Sequence, residues 1–519
     1  VNRARRLFSL VAVLAVASVA LTACGILWDP KVESAPRPSA SAPDLSAVPE
    51  GFDTFYSQSL DWRTCEGVDE GTYECTTVTA PLDWTDPDGG DIELAVIRRH
   101  AGSGSPAGSL LTNPGGPGAS GFDLISQSAL FAVGEELAEA YDVVGFDPRG
   151  VGRSTAVVCL DAEAMDDYLY DIPANPRGTP EWERELTESN RAFAEACEAN
   201  SGGILPFITT DNAARDLDLL RAVLGDTSLN YLGYSYGTFL GATYAKLFPD
   251  KVGRLVLDGA IDPAIPGIDV GTVQAAGFES ALRAYMTSCL SESDCPFRGS
   301  LDEALADLAT LLESVDRTPL QNSDGRRLGA DTLITAIVSA MYADVRWPYL
   351  TQALTDALAG DPYVAFVLAD DYNSRAEDGT YRDNTAEAFR AYNCMDYPLE
   401  NDPAAEAAAQ AYVAKNAPTI APYWEGVETC ADWPAAATGI REPISADGAA
   451  PIVVVGTTND PATPYEWSES LADQLSSGVL VTRVGEGHTG FNKGNACVDE
   501  AVIDYLIDGT VPEDGLRCE

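Results

Sequence analysis

The chain has 519 residues, with 80 Asp and Glu against 32 Lys and Arg, for a formal charge of −48 at neutral pH. That length allows a large core plus an inserted domain. The acidic excess repels phosphate backbones and anionic lipid, which argues against a nucleic-acid binder.

The first residues, VNRARRLFSLVAVLAVASVALTAC, place Arg3, Arg5 and Arg6 ahead of an apolar run from Leu7 to Ala20. This is the pattern of an export signal over residues 1–23, and the run is short for a transmembrane span. The ending Leu21-Thr22-Ala23-Cys24 resembles a bacterial lipobox. That resemblance implies a lipid on Cys24, membrane contact through this anchor alone, and a place on the outer face of the membrane or, after release, outside the cell. Residues 24–50 are rich in Pro, Ser and Ala and read as a tether.

Of 11 cysteines, ten remain once Cys24 is set aside, and export makes disulfides the expected state. Pairing of sequence neighbours gives Cys65 with Cys75, Cys159 with Cys197, Cys289 with Cys295, Cys394 with Cys430, and Cys497 with Cys518. No metal or cofactor is expected: no CxxC occurs, and the chain has two histidines.

CTTVTAPLDW and IELAVIRRH read as two antiparallel starting strands. GSLLTNPGG and YDVVGFDPRG read as buried strands that end in glycine-rich turns. NAARDLDLLRAVLG has helical spacing, with Asp211 as its N-cap. The strand LNYLGY, the helix TFLGATYAKLF and the strand GRLVLDGA follow. Strand and helix in alternation predict an α/β fold: a mostly parallel sheet with helices on both faces. Residues 51–265 and 441–519 form this core. Residues 266–440 lose the strand rhythm and read as a helical lid inserted after the sixth strand. The rhythm returns at APIVVVGTTNDPATP and GVLVTRVGEGHTG.

Gly233-Tyr234-Ser235-Tyr236-Gly237 fits G-x-S-x-G between a strand and a helix. In that setting the serine sits on a strained elbow and the small flanking residues let strand and helix pass closely. A serine hydroxyl needs a base. His100 ends an early strand beside two arginines and reads as a solvated loop residue, which leaves His488 in VGEGHTGF. Chain order in this class is serine, acid, histidine, and Asp460 in TTNDPATPY stands at the right place. Backbone N–H groups of Gly116 and Tyr236 are expected to form the oxyanion hole. In GFDPRGVGRS, Asp147 and Arg149 are expected to pair and brace the site. GGPGASG lacks the Gly-Lys-Ser/Thr ending of a phosphate loop.

NPGGPGASG, VGFDPRGVGRS, YLGYSYGTFLGATYA, LDGAIDP, NCMDYP, TTNDPATPY and GHTGF together resemble secreted actinobacterial tripeptidyl aminopeptidases of the α/β-hydrolase fold. They are also similar to proline iminopeptidases and to mycobacterial cell-envelope serine hydrolases. The resemblance implies Ser235 as nucleophile, Asp460 as orienting acid and His488 as base. It implies release of short peptides from substrates with a free N-terminus. Where related iminopeptidases carry a histidine before the glycine pair, this chain has Asn113 and Pro114. An aminopeptidase must read an ammonium group, and Asp396 in NCMDYP is the candidate carboxylate. Two other readings share the sequence: a cell-envelope carboxylesterase or lipase with the same triad, and an inactive hydrolase fold that binds peptides.

Overall fold

The structure is a computed structural model that describes residues 43–45, 48–68, 72–399, 402–424 and 428–519. The expected export signal, Cys24 and most of the expected tether lie outside the described residues. The tether's end is packed earlier than expected: Asp44 N–H donates to Ala222 O at 3.0 Å, and the Asp44 carboxylate meets Arg221 at 2.9 Å.

Ten strands form one sheet. They are β1 (Arg63–Thr64), β2 (Tyr73–Asp83), β3 (Asp86–Arg99), β4 (Ser109–Asn113), β5 (Asp142–Phe146), β6 (Leu229–Tyr234) and β7 (Val252–Asp258). After a separate two-stranded hairpin, β8 (Leu320–Gln321) and β9 (Arg327–Leu328), come β10 (Ile452–Asn459), β11 (Gly478–Glu486) and β12 (Leu516–Cys518). The order is β1-β2-β3-β5-β4-β6-β7-β10-β11-β12, antiparallel up to the β3–β5 pair and parallel from β5 onward. Parallel strands covered on both faces are near-continuous apolar runs, as Ser109–Asn113 and Ile452–Gly456 are: every one of those residues is buried.

Helices cover both faces. On one, Leu111, Val144, Tyr231 and Leu257 pack on Leu217, Leu220 and Leu240; on the other, Val143, Leu232 and Val453 pack on Ile125, Val133 and Val502. The lid has an apolar cluster of its own, built from Leu282, Leu308, Leu333, Ile337 and Leu354. The lid enters after the seventh strand of this sheet rather than the sixth, because the two-residue β1 adds one to the count. A second excursion, between β5 and β6, also joins the lid layer. It carries helices Ala162–Tyr170 and Pro180–Asn200, Cys159–Cys197 ties the segment before the first to the second, and its Asp166 meets lid residue Arg375 at 2.7 Å. The parallel direction of β4, β6, β7, β10 and β11 brings their C-terminal ends to one edge, where open α/β sheets hold their ligands.

Candidate active site

Ser235 follows β6 directly and opens the helix Tyr236–Leu247 with φ 55° and ψ −123°. A left-handed φ on a non-glycine residue is strained and persists only where its surroundings fix it. Here Ser235 N–H donates to Asp258 O at 2.9 Å, and Thr238 N–H and Oγ1–H donate to Ser235 O. The glycines of the motif are spatial requirements. A Cβ on Gly233 would lie 2.4 Å from Gly237 O, and one on Gly237 would lie 2.8 Å from Asn113 O.

The backbone after β4 closes over the serine. A Cβ on Gly115 would stand 2.8 Å from Ser235 Cβ and 3.1 Å from Tyr236 N, so only bare backbone fits. Tyr236 N–H, first in its helix, has no acceptor within the helix. Gly116 N–H has no hydrogen-bond acceptor among the described residues. Two free amide donors in one glycine-lined corner suit a developing negative charge on oxygen.

His488 stands in the loop after β11. Its Nδ1 lies 2.9 Å from both Asp460 oxygens and 3.2 Å from Thr463 Oγ1. Asp460 is buried and also accepts Ala462 N–H, Thr463 N–H and Thr489 N–H. A carboxylate so filled favours the imidazole tautomer with its proton on Nδ1, which leaves Nε2 with a free lone pair that can accept a proton. Among the described residues the ring's hydrogen bonds are all on Nδ1. Tyr342 from the lid holds the same residue, accepting His488 N–H at 2.9 Å and meeting the ring edge-on at 5.3 Å.

The serine and the imidazole share one neighbourhood. Gly259 follows Asp258, whose carbonyl binds Ser235 N–H, and a Cβ on Gly259 would lie 3.1 Å from His488 Cε1. Pro114, Tyr234 and His488 line one cavity. Among the described residues no hydrogen bond joins Ser235 Oγ to Nε2, a contact that commonly tightens on substrate binding.

A strained nucleophile elbow beside an imidazole–carboxylate pair is hydrolase geometry, and the comparisons with known proteins agree. A family model described as a TAP-like protein matches residues 417–518, the segment that carries Asp460 and His488. Carboxylesterase B of Mycobacterium tuberculosis is 38% identical over 470 residues, 88% of this chain and 89% of the relative. Serine protease Hip1 of the same species is 35% identical over 486 residues, 89% and 91%. Tripeptidyl aminopeptidase of Streptomyces coelicolor is 31% identical over 475 residues, 88% and 86%. The chain belongs to the tripeptidyl-aminopeptidase-like α/β hydrolases.

Within this serine hydrolase, several expectations need correction. Asp396 does not face a substrate. It is 4% exposed, and its carboxylate accepts Thr210 N–H at 2.9 Å and Thr210 Oγ1–H at 2.6 Å. With that hydroxyl proton given to Asp396, Tyr236 O–H is the donor in the 2.5 Å contact to Thr210 Oγ1. Asp396 therefore braces the elbow from the lid side, and burial pushes its carboxyl up to about 6.

Asp147 and Arg149 do not pair. Asp147 accepts Ser120 Oγ–H, Phe122 N–H and Arg153 N–H, which ties the loop after β5 to the helix Gly121–Ala140. Arg149, wholly buried, grips both oxygens of Asp216 at 2.7 Å. His100 is only partly solvated, with Nε2 3.2 Å from Glu74. Asp211 sits in the first turn of its helix, and Thr209 is the N-cap. The five disulfides join sequence neighbours, as expected.

Sequence reading missed Asp258. This fully buried residue ends β7, and its two oxygens accept Gly490 N–H at 2.7 Å and Phe491 N–H at 2.9 Å. With Thr489 N–H on Asp460, three consecutive amides after His488 are held by carboxylates. Thr489 has φ 69°, so the clamp holds a strained turn. The signal available was LDGA, a carboxylate and a glycine at the end of a buried strand.

Proposed function

We propose that this serine hydrolase is an exported peptidase that releases short peptides, tripeptides foremost, from free N-termini through an acyl-enzyme. The Asp460–His488 pair beside the Ser235 elbow carries the reading. Relatives named serine protease and tripeptidyl aminopeptidase, similar along most of the chain, support it.

In the proposed cycle, His488 Nε2 takes the Ser235 proton as Oγ attacks the carbonyl carbon. Gly116 and Tyr236 N–H groups hold the oxyanion. Collapse of the tetrahedral species breaks the C–N bond, and His488 gives its proton to the leaving amine. Water, deprotonated by the same imidazole, then releases the acyl peptide and restores Ser235. Cys24 carries the lipid that holds the enzyme at the membrane.

A second reading, a carboxylesterase, is favoured by the 38% identity to carboxylesterase B. The deciding measurement compares a tripeptidyl anilide with its N-acetylated form and with an acyl ester, using Ser235→Ala as control. The peptidase reading expects acetylation to lower kcat/KM by about 100-fold or more, since an acetylated amine carries no charge to be recognised. Indifference to acetylation with fast ester turnover selects the esterase.

A further inference from the structure

The cavity that His488 shares with Pro114 and Tyr234 holds about 380 Å³, within the range of small-ligand pockets. The imidazole must hand its proton to the departing nitrogen or oxygen. The space on the imidazole's own side is therefore where a leaving segment lies.

The charge of this space is opposite to that of the molecule. Lys493 and Arg346 line it, and Asp371 is its one aspartate or glutamate. Asp371 is already engaged, accepting Arg346 Nη1–H at 2.8 Å. The Lys493 ammonium lies 4.5 Å from the centre of the Phe131 ring. Among the described residues it has no carboxylate within ion-pair distance. Lys493 is exposed and lines this cavity without an acid partner, in a chain with 80 acids for 32 bases. The nearby carboxylates of Asp258 and Asp460 are filled by backbone N–H donors and the imidazole. Desolvation pulls the Lys493 amine below its ordinary value, and the charge of Asp258 offsets part of that pull.

We infer that this cavity is the leaving-group subsite and that it binds a carboxylate of the departing segment, with Lys493 as counter-ion. The inference rests on the hydrolase chemistry proposed above, and on its peptidase form only in calling that segment a peptide. Two sources offer the same group: the C-terminal carboxylate of a short substrate, or an acidic side chain just beyond the scissile bond.

Three matched substrate pairs test it on purified protein. One pair has Glu or Lys after the scissile bond, both with amidated C-termini. A second has Ala there, with a free or an amidated C-terminus. The third is a pair of esters of one acyl group, whose leaving alcohol carries a carboxylate or a trimethylammonium. At about 20 mM salt the anionic member of at least one peptide pair, and of the ester pair, should lead by about tenfold in kcat/KM. The effect should sit mainly in KM and shrink at about 0.5 M salt. Lys493→Glu should reverse the order and Lys493→Gln should remove it; the ratio within a pair is read, so overall rate does not matter. The first two pairs separate side chain from C-terminus. Parity or a cationic preference in the unmodified protein overturns the subsite, as does a preference that survives Lys493→Glu. If no peptide is cleaved while the esters show the charge order, the peptidase reading falls and the subsite stands. If peptides are cleaved without charge order, the reverse holds.

Discussion

A hydroxyl becomes a nucleophile only when a base can reach its proton, and here backbone sets both positions. Ser235 is held by the Asp258 carbonyl and His488 by the Tyr342 carbonyl. Asp258 works on both sides, since its side chain grips the loop that carries His488. Asp258→Asn replaces one accepting oxygen with an N–H₂ that faces a backbone N–H, so one of the two bonds is lost. We expect kcat to fall by about 100-fold, the scale of a 1 Å misplacement of a reacting group. KM should stay within a few fold, and labelling by a fluorophosphonate should slow in parallel with kcat. A drop in KM-dependent rate alone would assign Asp258 to binding instead. Ser235 and His488 were legible because the motif is local and histidine is scarce in this chain. Asp258 was not, because its partners are backbone amides 232 and 233 positions away and leave no side-chain pattern.

At the level of elements, the long buried strands and the amphipathic lid helices stood out by their periodicity. The two-residue β1 and three-residue β12 did not, since neither completes a period that could be read. The expected Asp147–Arg149 pair failed for a related reason. Adjacency in a loop says little about partners when a buried helix supplies Asp216 from elsewhere. Asp396 marks the same limit: the motif NCMDYP suggested a carboxylate that reads a substrate ammonium group, yet the helix Thr385–Asp396 turns it inward onto Thr210. Its titration gives a test at this scale. Burial raises its carboxyl from 3.8 to about 6, so between pH 4 and 6 the folded chain binds more protons than the unfolded one. Stability from this group is then full below pH 4 and declines as pH rises through 6. Asp396→Asn has no charge to bury. Its Tm relative to the unmodified protein should climb by a few °C between pH 4.5 and 7.5, following a linkage on the order of 2 kcal/mol. A difference that stays flat over that range would mean that the buried carboxyl does not titrate there.

For the whole molecule the dominant quantity is the charge of −48. Most of those carboxylates lie on the surface, where their mutual repulsion opposes the compact state and is screened by salt. The ion pairs that could oppose this trend are of two kinds. Arg149–Asp216 and Arg221–Asp218 are buried, with side chains at most 3% exposed, and salt reaches them little. Exposed pairs such as Arg184–Glu181 and Arg283–Asp302 are worth at most about 1 kcal/mol each. Screening should therefore relieve more repulsion than it removes attraction. Raising NaCl from about 0.02 to 0.3 M shortens the Debye length to below about 10 Å, and Tm should rise by several °C. The same series run with Lys493→Glu should show an equal rise, because a change of two units alters a total of −48 little while reversing the local preference at the leaving-group cavity. A Tm that falls with salt would mean that ion pairs joining the β5–β6 excursion to the lid, such as Arg375–Asp166 and Arg177–Asp331, outweigh the net repulsion.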